Sequence, residues 1–187
     1  MTTFWRAPAR TLLALLMLLA AGCPLLAQAP ATPAPPAPAP PKVAPALISL
    51  AEARAIIDAA VAFAREQKIC MAVAVLDQSG NLVSSDRMDE CSPANTSLAE
   101  GKAFASIMFR QTTEVLGNLA KDRPDRYFGI INMYPGKVYL VGGGVPLVAD
   151  GKFVGAVGVA GLPQGVDEKA GRAGIAAWEK MRESLKK

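Results

Sequence analysis

The chain has 187 residues, 51% of them hydrophobic and 19% charged, a length that fits one domain of ordinary size with an appendage and excludes a large multidomain enzyme. Twenty Lys and Arg against 16 Asp and Glu leave a net charge of +4 without a basic cluster, which argues against a nucleic-acid partner. Histidine is absent, so the commonest general base, zinc ligand and haem ligand are all missing, and any chemistry must proceed without imidazole.

Arg6 and Arg10 precede an apolar run from Leu12 to Ala21 that is too short to cross a bilayer and is flanked as an export signal is. The reading is a signal peptide over residues 1–23. Its end, Leu19-Ala20-Ala21-Gly22-Cys23, resembles the bacterial lipobox, in which Cys23 is acylated and becomes a lipid anchor in the membrane. Cleavage within Leu26-Ala27-Gln28-Ala29 is the alternative, and both routes place the protein outside the cytoplasm of a bacterium, periplasmic or membrane-anchored. Residues 24–46 are almost entirely Pro and Ala with Lys42 as the one charge, so they cannot bury a core and form an extended tether. At about 3.1 Å per residue such a tether reaches up to about 70 Å.

The folded domain is expected over residues 47–187. Ser49-Leu50-Ala51-Glu52 is a capping box that opens a helix, and Leu50, Ala53, Ile57, Ala60, Val61 and Ala64 give it one buried stripe before it stops near Lys68. Met71 to Leu76 and Leu82 to Met88, separated by turn residues Asp77 to Asn81, read as a hairpin. A loop centred on Ser79-Gly80 opposes Cys70 to Asp89 and leaves Cys91 a step beyond, close enough for a Cys70–Cys91 disulfide in an exported domain. Ser97-Leu98-Ala99-Glu100 repeats the capping-box pattern before a second helix that runs to about Gln111, and Val115, Leu116 and Leu119 suggest a further short helix. Lys121 to Arg126 reads as a polar loop. Three strands follow, Lys137 to Val141, Val145 to Ala149 and Lys152 to Ala160, with Asp150-Gly151 as the last hairpin turn. Asp167 and Glu168 suit the N-terminus of a closing helix. The order αββα(α)βββα lacks βαβ alternation and predicts an α+β domain, an antiparallel sheet of about five strands flanked by helices.

Gly142-Gly143-Gly144 is followed by Pro146 and not by Lys-Ser/Thr, so it reads as a turn or bulge between strands and not as a phosphate loop. Gly155, Gly158 and Gly161 weaken a strand and imply that a helix, a subunit or a ligand approaches the backbone closely. Ala170, Gly171, Ala173, Gly174 and Ala177 give the closing helix a small-residue surface suited to a tight interface.

Arg87-Met88-Asp89, then Lys102-Ala103 with Ala105 and Phe109, Gly143-Gly144-Val145-Pro146, Asp150-Gly151, Val154 to Val159 and Asp167-Glu168 together resemble the GlcG/HbpS haem-binding family, across nearly all of Leu47 to Trp178. The resemblance implies a profilin-like antiparallel sheet, assembly into a homo-oligomer, and binding of haem or a related tetrapyrrole in some members. It nominates Arg87, Met88, Asp89, Lys102, Gly143, Gly144, Pro146, Gly158, Gly161, Asp167 and Glu168 as ligand-binding positions, with Arg87 and Lys102 pairing with ligand carboxylates. Two motifs depart from the family: Arg-Met-Asp-Gly-Ala is Arg-Met-Asp-Glu90-Cys91, and Gly-Val-Ser-Gly-Gly is Gly158-Val159-Ala160-Gly161-Leu162. Without histidine, an iron would need Met88, Met108, Tyr127, Met133 or Tyr139, and no metal ligand set is assigned. The favoured reading is therefore an exported small-ligand-binding or accessory domain. Its rivals are an enzyme using Lys102 with Asp167 or Glu168 as an acid–base pair, and a purely structural oligomer.

Overall fold

A computed structural model describes residues 47–161 and 165–185. The expected signal peptide, Cys23, the tether and Leu162 lie outside the described residues. Helix α1 (Leu50–Glu66) begins as its sequence requires: Ser49 Oγ accepts from the Glu52 amide at 3.2 Å, and Glu52 Oε2 accepts from the Ser49 amide at 2.9 Å. It ends where Lys68 takes a left-handed conformation, φ 55°, and the Ile69 amide returns to the Ala64 carbonyl. Strands β1 (Ala72–Asp77) and β2 (Leu82–Arg87) pair from Ala72 opposite Arg87 to Val75 opposite Ser84, the register of a loop centred on Ser79-Gly80, until a bulge at Val75/Leu76 sets Leu76 opposite Leu82.

Helix α2 (Ala94–Phe109) starts earlier than the second capping box predicts. Pro93 occupies the cap position with helical dihedrals, so Ser97 lies inside the helix and caps nothing. Helix α3 (Thr113–Asp122) is capped by Thr112, whose Oγ1 accepts from the Val115 amide at 3.4 Å. The stretch Lys121 to Arg126 read as a polar loop is instead the end of α3, the junction residue Arg123 and the start of helix α4 (Pro124–Met133): Pro124 sits in its first turn, where a missing N–H costs nothing, and Tyr127 is buried with Ala105 and Leu116.

The expected strand Lys137 to Val141 does not form. Its backbone is taken up by helices: the Tyr139 amide donates to the Gly101 carbonyl of α2 at 3.3 Å, and the Leu140 carbonyl lies against Gly117 of α3. Among the described residues the sheet therefore has four strands and not about five, with β3 (Gly144–Ala149) and β4 (Lys152–Ala160) completing the antiparallel order β2-β1-β4-β3. Helix α5 (Val166–Leu185) closes the domain.

Alternation along β4 divides the domain into three layers. Val157 and Val159 face α1 and α5, where Ile56, Ile57, Val73, Val75 and Trp178 form the larger core. Ala156 and Ala160 face α2 and pack with Ala72, Ala74, Ala99 and Ala103. Small side chains on this second face bring α2 down onto the sheet backbone. A side chain at Gly158 would strike the Ala99 carbonyl, and one at Gly144, its partner across the ladder, would strike the Lys102 carbonyl. A helix is thus what approaches these glycines. On the opposite face Gly174 admits the Ile56 carbonyl, so part of the small-residue surface of α5 is its contact with α1.

Glu52 ties that contact together. Its Oε1 accepts from Trp178 Nε1 at 3.0 Å and from Arg182 at 2.8 Å, while Oε2 accepts from Ser49, and Arg182 also lies over the Trp178 ring at 5.4 Å. Burial by itself raises the Glu52 carboxyl, but the hydrogen bonds from the Ser49 amide, the Ser49 hydroxyl, Trp178 and Arg182 outweigh it and hold the carboxyl below the usual glutamate range. Because the folded value is the lower one, this contribution is complete above the usual glutamate range and is lost as pH falls through the folded value. Glu52→Gln should lower unfolding stability at neutral pH by about 2 kcal/mol. Urea melts across acidic pH should show a steeper loss for wild type than for Glu52→Gln, and parallel curves would refute this role.

Candidate functional site

A cavity of about 850 Å³ opens where the start of β1, the end of β4, the N-terminal half of α2 and the loop before β3 meet. Its volume lies within the range of small-molecule sites. Leu98 and Lys102 come from α2, Tyr139 and Val141 from the loop, and Ile69 and Ala160 from the sheet ends. Glu90, Ser92 and Asn95 add polar groups.

The charged centre of this cavity is Lys102 with Asp167. Lys102 is 3% exposed, and its Nζ donates to Asp167 Oδ2 at 2.6 Å and to the Val159 carbonyl at 2.8 Å. The ammonium charge is therefore met by a carboxylate from the first turn of α5 and by a backbone oxygen from β4. Asp167 Oδ1 is buried and has no hydrogen-bond partner. Gly143 makes the pair sterically feasible: its φ is 127°, and a side chain there would lie 2.8 Å from Asp167 Cβ and 3.1 Å from Lys102 Nζ. The Gly143 carbonyl accepts from the Val159 amide at 2.9 Å, and the Gly144 amide donates to Thr113 Oγ1 at 2.7 Å, which fixes this turn against β4 and α3.

The nominated positions divide between several places. Lys102, Asp167 and Gly161 line the cavity, and Gly143 supports the pair beneath it. Gly144 and Gly158 are contact points for α2, and Pro146 lies in β3 opposite Ala156. Arg87, Met88 and Asp89 border a separate depression of about 280 Å³ with Val61, Arg65 and Asp86. Arg87 Nη1 donates to the Cys91 carbonyl, so this cation braces the turn after β2 and does not converge with Lys102. Glu168 pairs with Arg172 at 2.5 Å and faces a third depression beside Thr113 and Lys121.

Of the side chains nominated as iron ligands, Tyr139 lines the cavity. Met88 is in the Arg87 depression, Tyr127 of α4 is buried against Ala105 and Leu116, and Met108 and Met133 are exposed. Among the described residues no group of three or more Cys, Asp or Glu is placed to hold a metal ion. Ser92, Asn95 and Leu98 were not nominated from the sequence. Their signal in the sequence is Ser92-Pro93, a Ser-Pro start that moves α2 forward and sets these positions on the cavity side.

Cys70 and Cys91 are joined, with Cα atoms 5.6 Å apart, and Cys70 lines the cavity. The bond fastens the segment after β2, including Glu90 and Ser92, to the start of β1.

Comparisons with known proteins converge on one group. The family model described as "Haem degrading protein HbpS-like" matches residues 48–176. Protein GlcG of Escherichia coli (strain K12) is 29% identical over 113 residues, 60% of this chain and 81% of that protein. The crystal structure of a double mutant of Streptomyces reticuli HbpS is similar with a TM-score of 0.64 and 32% identity, covering 79% of this chain and 97% of that one. The crystal structure of a PduOC–haem complex is similar with a TM-score of 0.65 and 26% identity, covering 70% and 94%.

The disulfide closes a loop with a sequence separation of 21, so Cys70→Ser with Cys91→Ser should cost about 3 kcal/mol of stability in denaturant melts. Thiol titration of residues 47–187 should find two additional reactive groups after reduction. Two reactive thiols before reduction would exclude the bond.

Proposed function

Because this chain belongs to the HbpS-like family of haem-degrading proteins, we propose that it binds haem or a related tetrapyrrole in the cavity floored by Lys102 and Asp167. The observation that carries this reading is the cavity itself. A volume of about 850 Å³ walled by Leu98, Val141, Ile69 and Ala160 suits a broad apolar macrocycle, and Ser92 and Asn95 supply polar partners for its carboxylates. Tyr139 is the side chain among the nominated iron ligands that would reach a metal held there, and a bound haem would supply redox chemistry at its iron. The protein's own contribution is apolar enclosure, a fixed ion pair and a wall held by the Cys70–Cys91 bond.

A second reading draws on the 2.6 Å contact between Lys102 and Asp167. A buried amine and carboxylate on a cavity can pass a proton to and from a bound molecule, so acid–base catalysis on a small substrate is the alternative. Glu168 does not line this cavity, and its Oε1 is directed to Arg172.

The cellular setting in this proposal follows from the N-terminal sequence. The signal peptide exports the chain, Cys23 carries the lipid, and residues 24–46 hold the domain away from the membrane. Assembly into a homo-oligomer is part of the same reading, from the family resemblance.

Titration of the purified domain with haem should give a saturable Soret change, and Leu98→Glu, which places a charge on the apolar wall, should weaken it about tenfold or more. Arg87→Glu should leave the affinity near that of wild type, because Arg87 borders a different depression. Absence of a saturable change in wild type refutes haem binding. For the anchor, Cys23→Ser should move the protein from the membrane pellet to the soluble fraction, and wild type already in the soluble periplasmic fraction would rule the lipid out.

A further inference from the structure

One wall of the cavity, the turn that carries Glu90 and Ser92, is tied to the sheet chiefly by the Cys70–Cys91 bond. The pairing of β1 with β2 gives its last rung at Met88, whose amide donates to the Met71 carbonyl at 3.1 Å. Beyond it, among the described residues, the hydrogen bonds of residues 89–92 stay within the turn. The Cys91 amide donates to the Met88 carbonyl, the Cys91 carbonyl accepts from Arg87, and Ser92 accepts from the Ala94 and Asn95 amides. Cys91 is buried, yet it belongs to none of the three apolar clusters. The crosslink to Cys70 is therefore what holds this turn against the start of β1.

The same turn contains a residue in a costly conformation. Glu90 has φ 65°, a left-handed backbone that glycine adopts freely and that a residue with a Cβ resists. Such a conformation persists where its surroundings over-determine it, and here the next residue in the chain is covalently fixed. With the bond cut, Glu90 is free to return to negative φ. A change of that size beside Cys91 redirects the chain and takes Glu90 and Ser92 out of the cavity wall, while Leu98, Val141, Ile69 and Ala160 stay on their own elements.

From the crosslinked turn we propose that Cys70–Cys91 is a redox switch on the cavity wall, which is held in place when the bond is oxidised and released when a dithiol reduces it; this rests on the reading of the cavity as a ligand site. Cys70 lines the cavity and is partly exposed, whereas Cys91 is 3% exposed, so attack comes at Cys70. One thiolate of the dithiol bonds to Cys70 Sγ, the S–S bond breaks, and Cys91 leaves as a thiolate that takes up a proton. The second thiolate of the reductant attacks the mixed disulfide and frees Cys70, which is protonated in turn. The protein gains two electrons and two protons, and the dithiol becomes its own disulfide. Arg87, on the Cys91 carbonyl, places a positive charge in the turn where the leaving thiolate forms and favours its departure. Because the oxidised wall binds better, linkage requires that a bound ligand favour the oxidised state.

Metal-free protoporphyrin IX is the probe, since freed thiolates would ligate the iron of haem and mask the effect. Titrated by fluorescence, it should bind the dithiothreitol-reduced protein about tenfold more weakly than the oxidised protein, the scale of one lost hydrogen bond to a carboxylate. Cys70→Ser with Cys91→Ser should match the reduced protein whether or not reductant is present. Amide hydrogen exchange, followed in the same three samples, should speed up in residues 88–93 while β1 and β4 keep their protection. Equal affinity in the oxidised and reduced states overturns the switch, as does unchanged exchange in the turn. Exchange that rises throughout β1 and β4 also overturns it, because the bond then serves the stability of the whole domain. If the probe binds neither state, the tetrapyrrole reading is refuted, and exchange in the turn decides the switch by itself.

Discussion

Close approach of helix α2 to the backbone of β3 and β4 is the constraint on which the rest of this domain depends. Gly144 and Gly158 face each other across the ladder, and each leaves room for a backbone carbonyl of α2 where a methyl group could not fit. Ala72, Ala74, Ala156 and Ala160 extend this shallow seat with small side chains. A helix seated this low sends Lys102 past the end of the sheet to the Val159 carbonyl, and the absence of a side chain at Gly143 lets Asp167 come in from α5 to meet it. The ion pair is therefore a product of helix-to-sheet distance, and residues far apart in the chain become one site.

The two faces of the sheet play different parts. On the α1 and α5 side, branched aliphatics and Trp178 make a conventional core, sealed by Glu52 with every hydrogen-bond partner matched. On the α2 side the core is alanine-rich and thinner, with less apolar area to bury per residue. The cavity opens at the end of that thinner layer, where the segment before β3 gives its backbone to α2 and α3 and the Cys70–Cys91 bond holds the turn after β2. A site placed there is framed by rigid elements on several sides yet borders a layer with little bulk to spare.

Charge is arranged with economy. The cavity's cation is internal to the fold, paired and nearly inaccessible, whereas Arg87, the cation that stands out in the sequence, is spent on the Cys91 carbonyl. What remains for a ligand is a largely apolar wall with hydroxyl and amide groups from Ser92 and Asn95. Recognition on such a surface works through shape and a few directional hydrogen bonds and owes little to net electrostatic attraction.

Local chemistry alone determined much of this protein. The capping box at Ser49 and the hairpin register about Ser79-Gly80 were legible in the sequence because each depends on residues within a few positions of one another; the Cys70–Cys91 pairing followed from that register, the antiparallel α+β class from the order of elements, and the HbpS-like resemblance from motifs spread along the whole domain. Tertiary structure decided the rest. Lys137 to Val141 has strand composition, but its Tyr139 amide donates to α2 and its Leu140 carbonyl packs on Gly117 of α3, and Pro124 begins a helix because a first turn has no need of its N–H. The nominated site residues came from five segments, and only packing could say which of them converge. The distance from Lys102 to Asp167 is set by three glycines whose role is to be absent as side chains, and a missing atom leaves no pattern in a sequence until the surface that fills its place is known.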